Sequence, residues 1–158
     1  MTDALKQQYT LRISQANRSE LTVILYEMLL SYIDDVKKAH TNKDRAAFRE
    51  GIRKANGCVK ELLASLDYSY EISYGLSNLY LYVSRELALV DVRNRPEGLE
   101  AVEMVIKGLC ESFRKVSEQD KSDALMHNTQ AVYAGLTYGK SDLNESLYSQ
   151  GGSRGICV

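Results

Sequence analysis

The sequence predicts an all-α protein: an antiparallel up-down four-helix bundle over residues 17–119, with a flexible N-terminal segment before it and a loosely structured C-terminal tail after it. Three observations carry that prediction. Apolar side chains recur at steps of three and four through four successive segments. Pro96 is the only proline, so helices can run uninterrupted. No segment alternates polar and apolar residues between turn signals as a strand would.

Residues 1–16 form the N-terminal tail of this scheme. The first helix starts at Asn17, which can cap it, with Glu20 three residues on as in a capping box. It runs to about His40, and Leu21, Ile24, Leu25, Met28, Tyr32 and Val36 make its core stripe. Thr41-Asn42-Lys43 turns the chain, and Asp44 caps a second helix with Phe48, Ile52, Ala55, Val59, Leu62 and Leu66 on one side. A tight link at Asp67-Tyr68-Ser69 leads into the third, from about Tyr70 to Val92, whose inner stripe is Leu76, Leu79, Tyr80, Val83, Leu87 and Val90. Pro96-Glu97 suits the first turn of the fourth, because proline lacks an N–H that would be unpaired there anyway. That helix carries Leu99, Val102, Val105, Ile106, Leu109, Phe113 and Val116. Links this short between long helices force antiparallel neighbours. Past Gln119 the pattern fades, and residues 120–158, polar and glycine-rich, read as a flexible tail.

Composition excludes several functions. A net charge of −1 gives no strong pull on phosphates, so nucleic acid is not an expected partner. No apolar run approaches the roughly 20 residues of a membrane span, and MTDALKQQYTLRIS has no apolar signal core. A cytoplasmic protein follows. Cys58, Cys110 and Cys157 sit at no metal-like spacing and read as reduced thiols, with Cys58 and Cys110 as small buried fillers. No metal or cofactor is expected. His40 and His127 lack the partners of a triad, and the E-x-x-H spacing of di-metal bundles is missing. Gly151-Gly152-Ser153-Arg154-Gly155 has no following helix to complete a phosphate loop, and Asp34-Asp35 are helical neighbours pointing in different directions. The chain reads as a non-enzyme.

What remains unexplained is a surplus of apolar residues. In LSNLYLYVSRELALVDV, residues 76–92, the third helix is greasy on more than its inner side. At about 100° per residue, Tyr74, Leu81 and Val92 lie nearly opposite the inner stripe, with Tyr82 and Leu89 to one side. Val23, Tyr26, Leu30 and Ile33 of the first helix likewise fall away from its stripe. The second helix places small residues, Gly57 and Ala64, outward, although a glycine inside a helix costs up to about 1 kcal/mol against alanine. These faces widen the core, line a homodimer interface, or form a groove for a partner. The 11 tyrosines, against no tryptophan and 2 phenylalanines, suit a surface that is alternately wet and covered.

Several blocks resemble one family. Ala16-Asn17-Arg18-Ser19-Glu20-Leu21 followed by Leu25-Tyr26 is similar to an A-S/T-P-x-E-L…L-Y opening, with arginine for proline. Lys54-Ala55, Glu61-Leu62 and Ser65-Leu66-Asp67 resemble a K-A…E-L…S-L-D block, and Leu79-Tyr80-Leu81-Tyr82 with Arg85 and Leu87 matches L-Y-x-Y…R-x-L. Tyr9 and Ile13 stand near a tail tyrosine and an apolar residue, one residue short in spacing. Ser69-Tyr70 replaces a common glycine pair, and the tryptophan many members carry late in the fourth helix is absent. Over about residues 9–118 the chain resembles FliS, the flagellin-specific export chaperones. The resemblance implies a cytoplasmic bundle that binds the C-terminal segment of new flagellin, prevents early polymerisation and delivers it to the export apparatus. With such a client, the contacts fall on the second and third helices, at Ala55, Gly57, Val59, Leu62, Ala64, Tyr74, Asn78, Leu81 and Tyr82, with Ala55, Val59 and Leu62 alternatively part of the core alone. Tyr9 and Ile13 would cover part of the groove as a displaceable latch. Export components and a co-chaperone stay open as partners of the tail, and a homodimeric structural bundle or adaptor without a flagellin client stays open as the alternative.

Overall fold

The computed structural model describes residues 3–126, and every regular element among them is an α-helix. The helices are α1 (Asp3–Gln15), α2 (Arg18–Thr41), α3 (Arg45–Ala64), α4 (Glu71–Arg93) and α5 (Leu99–Gln119). Local chemistry sets most boundaries. Asn17 Oδ1 accepts from the Glu20 N–H at 2.8 Å, and Asp44 Oδ1 from the Ala47 N–H at 2.9 Å, each satisfying one of the donors a helix start leaves open. Asn94, at φ 52°, stops α4 in the left-handed conformation that asparagine tolerates. Pro96 lies just before α5 rather than inside it. Its carbonyl accepts from the Leu99 N–H at 3.0 Å, and Gly98, at φ 99°, makes the bend that admits the helix.

Residues 3–15 correct the expectation of a flexible N-terminal segment: they form α1. Leu5, Tyr9 and Ile13 are spaced four apart and share one side, which packs with Ala16 against Leu21, Ile24 and Met28 of α2. Thirteen residues are marginal as a free helix, so this contact sustains α1. Arg12 adds an ion pair to Glu27 at 2.5 Å.

The other four helices share one core. α2 and α4 each pack against α3 and α5, which sets α2 and α4 diagonally across the centre. Cross-pairs appear in reverse sequence order. Ser19, Glu27 and Lys37 of α2 meet Asp120, Arg114 and Glu103 at the end of and along α5, while Arg49 and Asn56 of α3 meet Asp91 and Ser84 of α4. At the centre the hydroxyls of Tyr26 and Tyr80 bond to each other, both rings being buried. Phe113 meets Tyr26 edge-on at 5.6 Å. Burial holds both phenols protonated well above their ordinary pKa; at Tyr26 the bond to Tyr80 adds to the rise, whereas at Tyr80 the bond opposes it.

On α2 the expected surplus residues Val23, Tyr26 and Ile33 join the core, Val36 of the expected stripe is buried there as predicted with Leu25 and Tyr32 packed against it, and Leu21 and Ile24 turn to α1. Val23, Tyr26, Leu29, Ile33 and Val36 face the common core, whereas Leu21, Ile24 and Met28 lie under α1. On α4, Leu79 leaves the predicted inner stripe and is 38% exposed. The α3 stripe is buried from Phe48 to Leu62, as its spacing predicts, with Leu66 partly covered.

Two predictions follow from this packing. Tyr26→Phe strands a buried Tyr80 hydroxyl and should cost roughly 1–3 kcal/mol in denaturant unfolding, while the double Tyr26→Phe/Tyr80→Phe variant should lose less than the sum of the two single changes. A Cβ on Gly51 would come within 2.7 Å of Val36 Cγ2, a methyl on a stiff β-branched side chain, whereas one on Gly57 would meet nothing within 4 Å. Gly51→Ala should therefore destabilise by about 1–3 kcal/mol and Gly57→Ala stabilise by up to about 1 kcal/mol in the same measurement.

Candidate functional site

α4 keeps a row of large apolar residues in water along its outer side. Its inner side chains Leu76, Tyr80, Val83, Leu87 and Val90 are taken up by the core. Half a turn away, Tyr74 is 59% exposed, Leu81 55% and Val92 84%. To one side, Ile72 and Leu79 border a shallow apolar hollow beside Gly75. At the N-terminal end the Tyr68 ring meets Tyr74 edge-on at 5.4 Å, and the Tyr68 hydroxyl donates to Ser77 Oγ at 3.2 Å. Tyr82 is half-buried against the core, with the Arg85 guanidinium 5.6 Å from its ring centre.

Between α3 and α4 runs a cleft of about 400 Å³. Arg49, Arg53 and Lys60 line it from α3, and Ser84, Ala88 and Asp91 from α4. Ser84 Oγ donates to Asn56 Oδ1 at 3.3 Å across it, and Arg49 pairs with Asp91 at 3.6 Å. Asp91 Oδ1 is sheltered and accepts no hydrogen bond, so the ion pair alone answers its charge from that side. This surface thus sets Arg49, paired with Asp91, Arg53, paired with Glu50, and Lys60 beside an apolar row, without the converging acid and base groups of a catalytic centre.

The residues singled out from the sequence divide into three sets. Gly57 and Ala64 on α3, with Tyr74, Asn78 and Leu81 on α4, are exposed, and Tyr82 lies at the edge of the core. Ala55, Val59 and Leu62 are buried in the core and reach no surface. Tyr9 and Ile13 pack on α2, diagonally across the protein from Leu81. They cover a trough of Leu21, Ile24 and Met28 rather than the α4 face. Burial, then Glu27, pushes the Tyr9 phenol up, with Arg12 opposing. Ile72 belongs with the exposed set, and its spacing of seven from Leu79 was the available signal.

The remaining reactive groups are quiet. Burial pushes the Cys58 thiol up to about 11 and raises Cys110 as well, so neither is a nucleophile near neutrality. Cys157, His127 and the glycine-rich run at 151–155 lie outside the described residues. Among those described, no cluster of His, Cys, Asp and Glu is placed to hold a metal ion, and no helix is long and apolar enough to cross a membrane.

Comparison with known proteins agrees with the residue blocks. The chain is 25% identical over 111 residues to the flagellar secretion chaperone FliS of Bacillus subtilis, covering 70% of this chain and 84% of that one. It is 29% identical over 103 residues to the protein of the same name from Campylobacter jejuni, covering 64% and 80%. The family model described as flagellar protein FliS matches residues 1–120, and the chain belongs to that family.

Proposed function

We propose that this protein is a cytoplasmic, non-enzymatic flagellar export chaperone that holds the C-terminal segment of flagellin as an amphipathic helix until export. The observation that carries this reading is the line of Tyr74, Leu81 and Val92, apolar and open to water on a folded body. Eighteen residues separate its ends, about 27 Å along a helix, so a client helix of similar length would cover it. The neighbouring cation Lys60 favours a client with a carboxylate along that edge, Arg53 being held by Glu50 at 2.7 and 2.8 Å. Gly57 and Ala64 leave the α3 side low, letting the client's backbone approach. Asn78, exposed on the same face, offers a side-chain amide to the client backbone.

Beneath this surface we take α2–α5 as an antiparallel up-down four-helix bundle, a reading supported by the reversed order of their cross-pairs. Ala55, Val59 and Leu62 serve in it as the foundation of the α3 ridge, not as contacts. The latch is relocated rather than abandoned. Tyr9 and Ile13 occupy the α2 trough, which a second stretch of client would fill once α1 lifts. The name of the relatives, flagellar secretion chaperone, supports the same role. Export components and a co-chaperone are candidates for the residues beyond the bundle.

Leu81→Glu should weaken binding of a flagellin C-terminal peptide by about tenfold to a hundredfold in calorimetry, because one buried leucine contributes on the order of 1.5–3 kcal/mol. Its far-UV circular dichroism should stay helical, since Leu81 is outside the core. Unchanged affinity would remove α4 from the client site. Gly57→Leu should lower affinity too while the fold holds, as no described residue lies within 4 Å of a Cβ placed there. Light scattering should give a monomer that forms a one-to-one complex; an obligate dimer without peptide binding would instead make the α4 face a self-association surface.

A further inference from the structure

Where α5 ends, the chain stays against the body of the protein. The Asp120 N–H closes the helix on the Val116 carbonyl at 3.0 Å, and its extended backbone sends the next residues to the junction of α1 and α2. Ser19 Oγ donates to Asp120 Oδ2 at 2.5 Å. Asn17 Nδ2 donates to the Asp120 carbonyl at 3.2 Å and, at greater length, to that of Ser122 at 3.5 Å. The Leu125 N–H donates to the Ala16 carbonyl at 3.0 Å. Asp120 Oδ1 accepts from the Ser122 N–H at 3.0 Å, which fixes the turn internally.

These partners are not scattered. Ala16 and Asn17 are the two residues between α1 and α2, so any swing of α1 off its trough turns about them. Both are gripped. Asn17 uses its two side-chain atoms on different elements, Oδ1 to cap α2 and Nδ2 to hold the segment after α5. Capping α5 requires the Asp120 N–H alone; the bond from Leu125 to Ala16 does nothing for α5. We propose that residues 120–125 are a clasp that keeps α1 seated on α2, so that uncovering of the Leu21–Ile24–Met28 trough is controlled from the C-terminal side of the chain. A factor that takes hold of this segment then releases α1 without touching it.

The clasp concerns this chain alone and needs no client, so its failure and the failure of the flagellin reading are separate results. Amide hydrogen exchange of the full chain, followed residue by residue by NMR, tests it. Leu125→Pro removes the donor to Ala16, and Asp120→Ala removes the carboxylate that Ser19 and Ser122 hold. Each should speed exchange at residues 10–13 of α1 about threefold to tenfold while core amides such as that of Ile106 keep their protection. Coupling is reciprocal, so Tyr9→Ser, which loosens α1, should speed exchange of the Leu125 N–H by a similar factor. Unchanged α1 exchange in both clasp variants overturns the proposal, as does an unmoved Leu125 N–H in Tyr9→Ser.

Discussion

α2 is apolar on two sides, and a helix in water can leave neither uncovered without cost. The side with Val23, Tyr26, Leu29, Ile33 and Val36 meets the common core, and the side with Leu21, Ile24 and Met28 meets α1. Much of the rest depends on this double requirement. It is why thirteen residues at the N-terminus are helical at all, since their own amphipathicity is weak and their length marginal. Glu27, on the rim between the two sides, then orients both neighbours: Arg12 of α1 at 2.5 Å and Arg114 of α5 at 2.9 Å. One partly buried carboxylate thus ties the added helix to the core helices it lies beside.

α4 meets the opposite fate because no other described residue covers its second side. The Tyr80 hydroxyl must reach that of Tyr26 to be satisfied in the interior, and this fixes the rotation of α4 about its axis. With Tyr80 turned inward, Tyr74, Leu81 and Val92 have no inward position left. Their exposure follows from the same buried bond that orders the core. A rotation that hid Leu81 would leave two phenolic hydroxyls unpaired in apolar surroundings, which is the costlier state.

Much of this was legible from residue order. Asn17 with Glu20, and Asp44 with Ala47, announce helix starts through short-range chemistry that tertiary packing does not alter. The α3 stripe was readable because only one of its sides is apolar. On α2 both sides satisfy helical spacing, and spacing carries no sign of which faces inward, so Val23, Tyr26 and Ile33 were set outside the core and Leu21 and Ile24 inside it, while Val36 was placed correctly. The same blindness affected glycine. Gly57 is exposed, as its outward position on α3 implied, whereas the close approach of Val36 to the α3 backbone at Gly51 has no mark in the sequence, which does not distinguish a glycine under contact from one in open water. α1 had a signal, the four-residue spacing of Leu5, Tyr9 and Ile13, but polar residues dilute it. Residues 120–125 have no periodicity to read. Their order comes from hydrogen bonds to residues about a hundred positions away.

Magnitudes link the two apolar surfaces. Covering Tyr74, Leu81 and Val92 would contribute roughly 5–9 kcal/mol before losses, at about 1.5–3 kcal/mol for each large apolar side chain. Association itself costs on the order of 4–15 kcal/mol, and ordering a flexible client segment adds to that. One row of three anchors is therefore too little for durable capture. A client that also enters the α2 trough meets a second apolar row at an effective concentration set by its own linker, and the two sites together hold what neither holds alone. On the proposed function, α1 fills the trough with Tyr9 and Ile13 and leaves the α4 face to the client, so that capture and release would turn on the seating of α1. It is to the hinge of α1 that residues 120–125 are bonded.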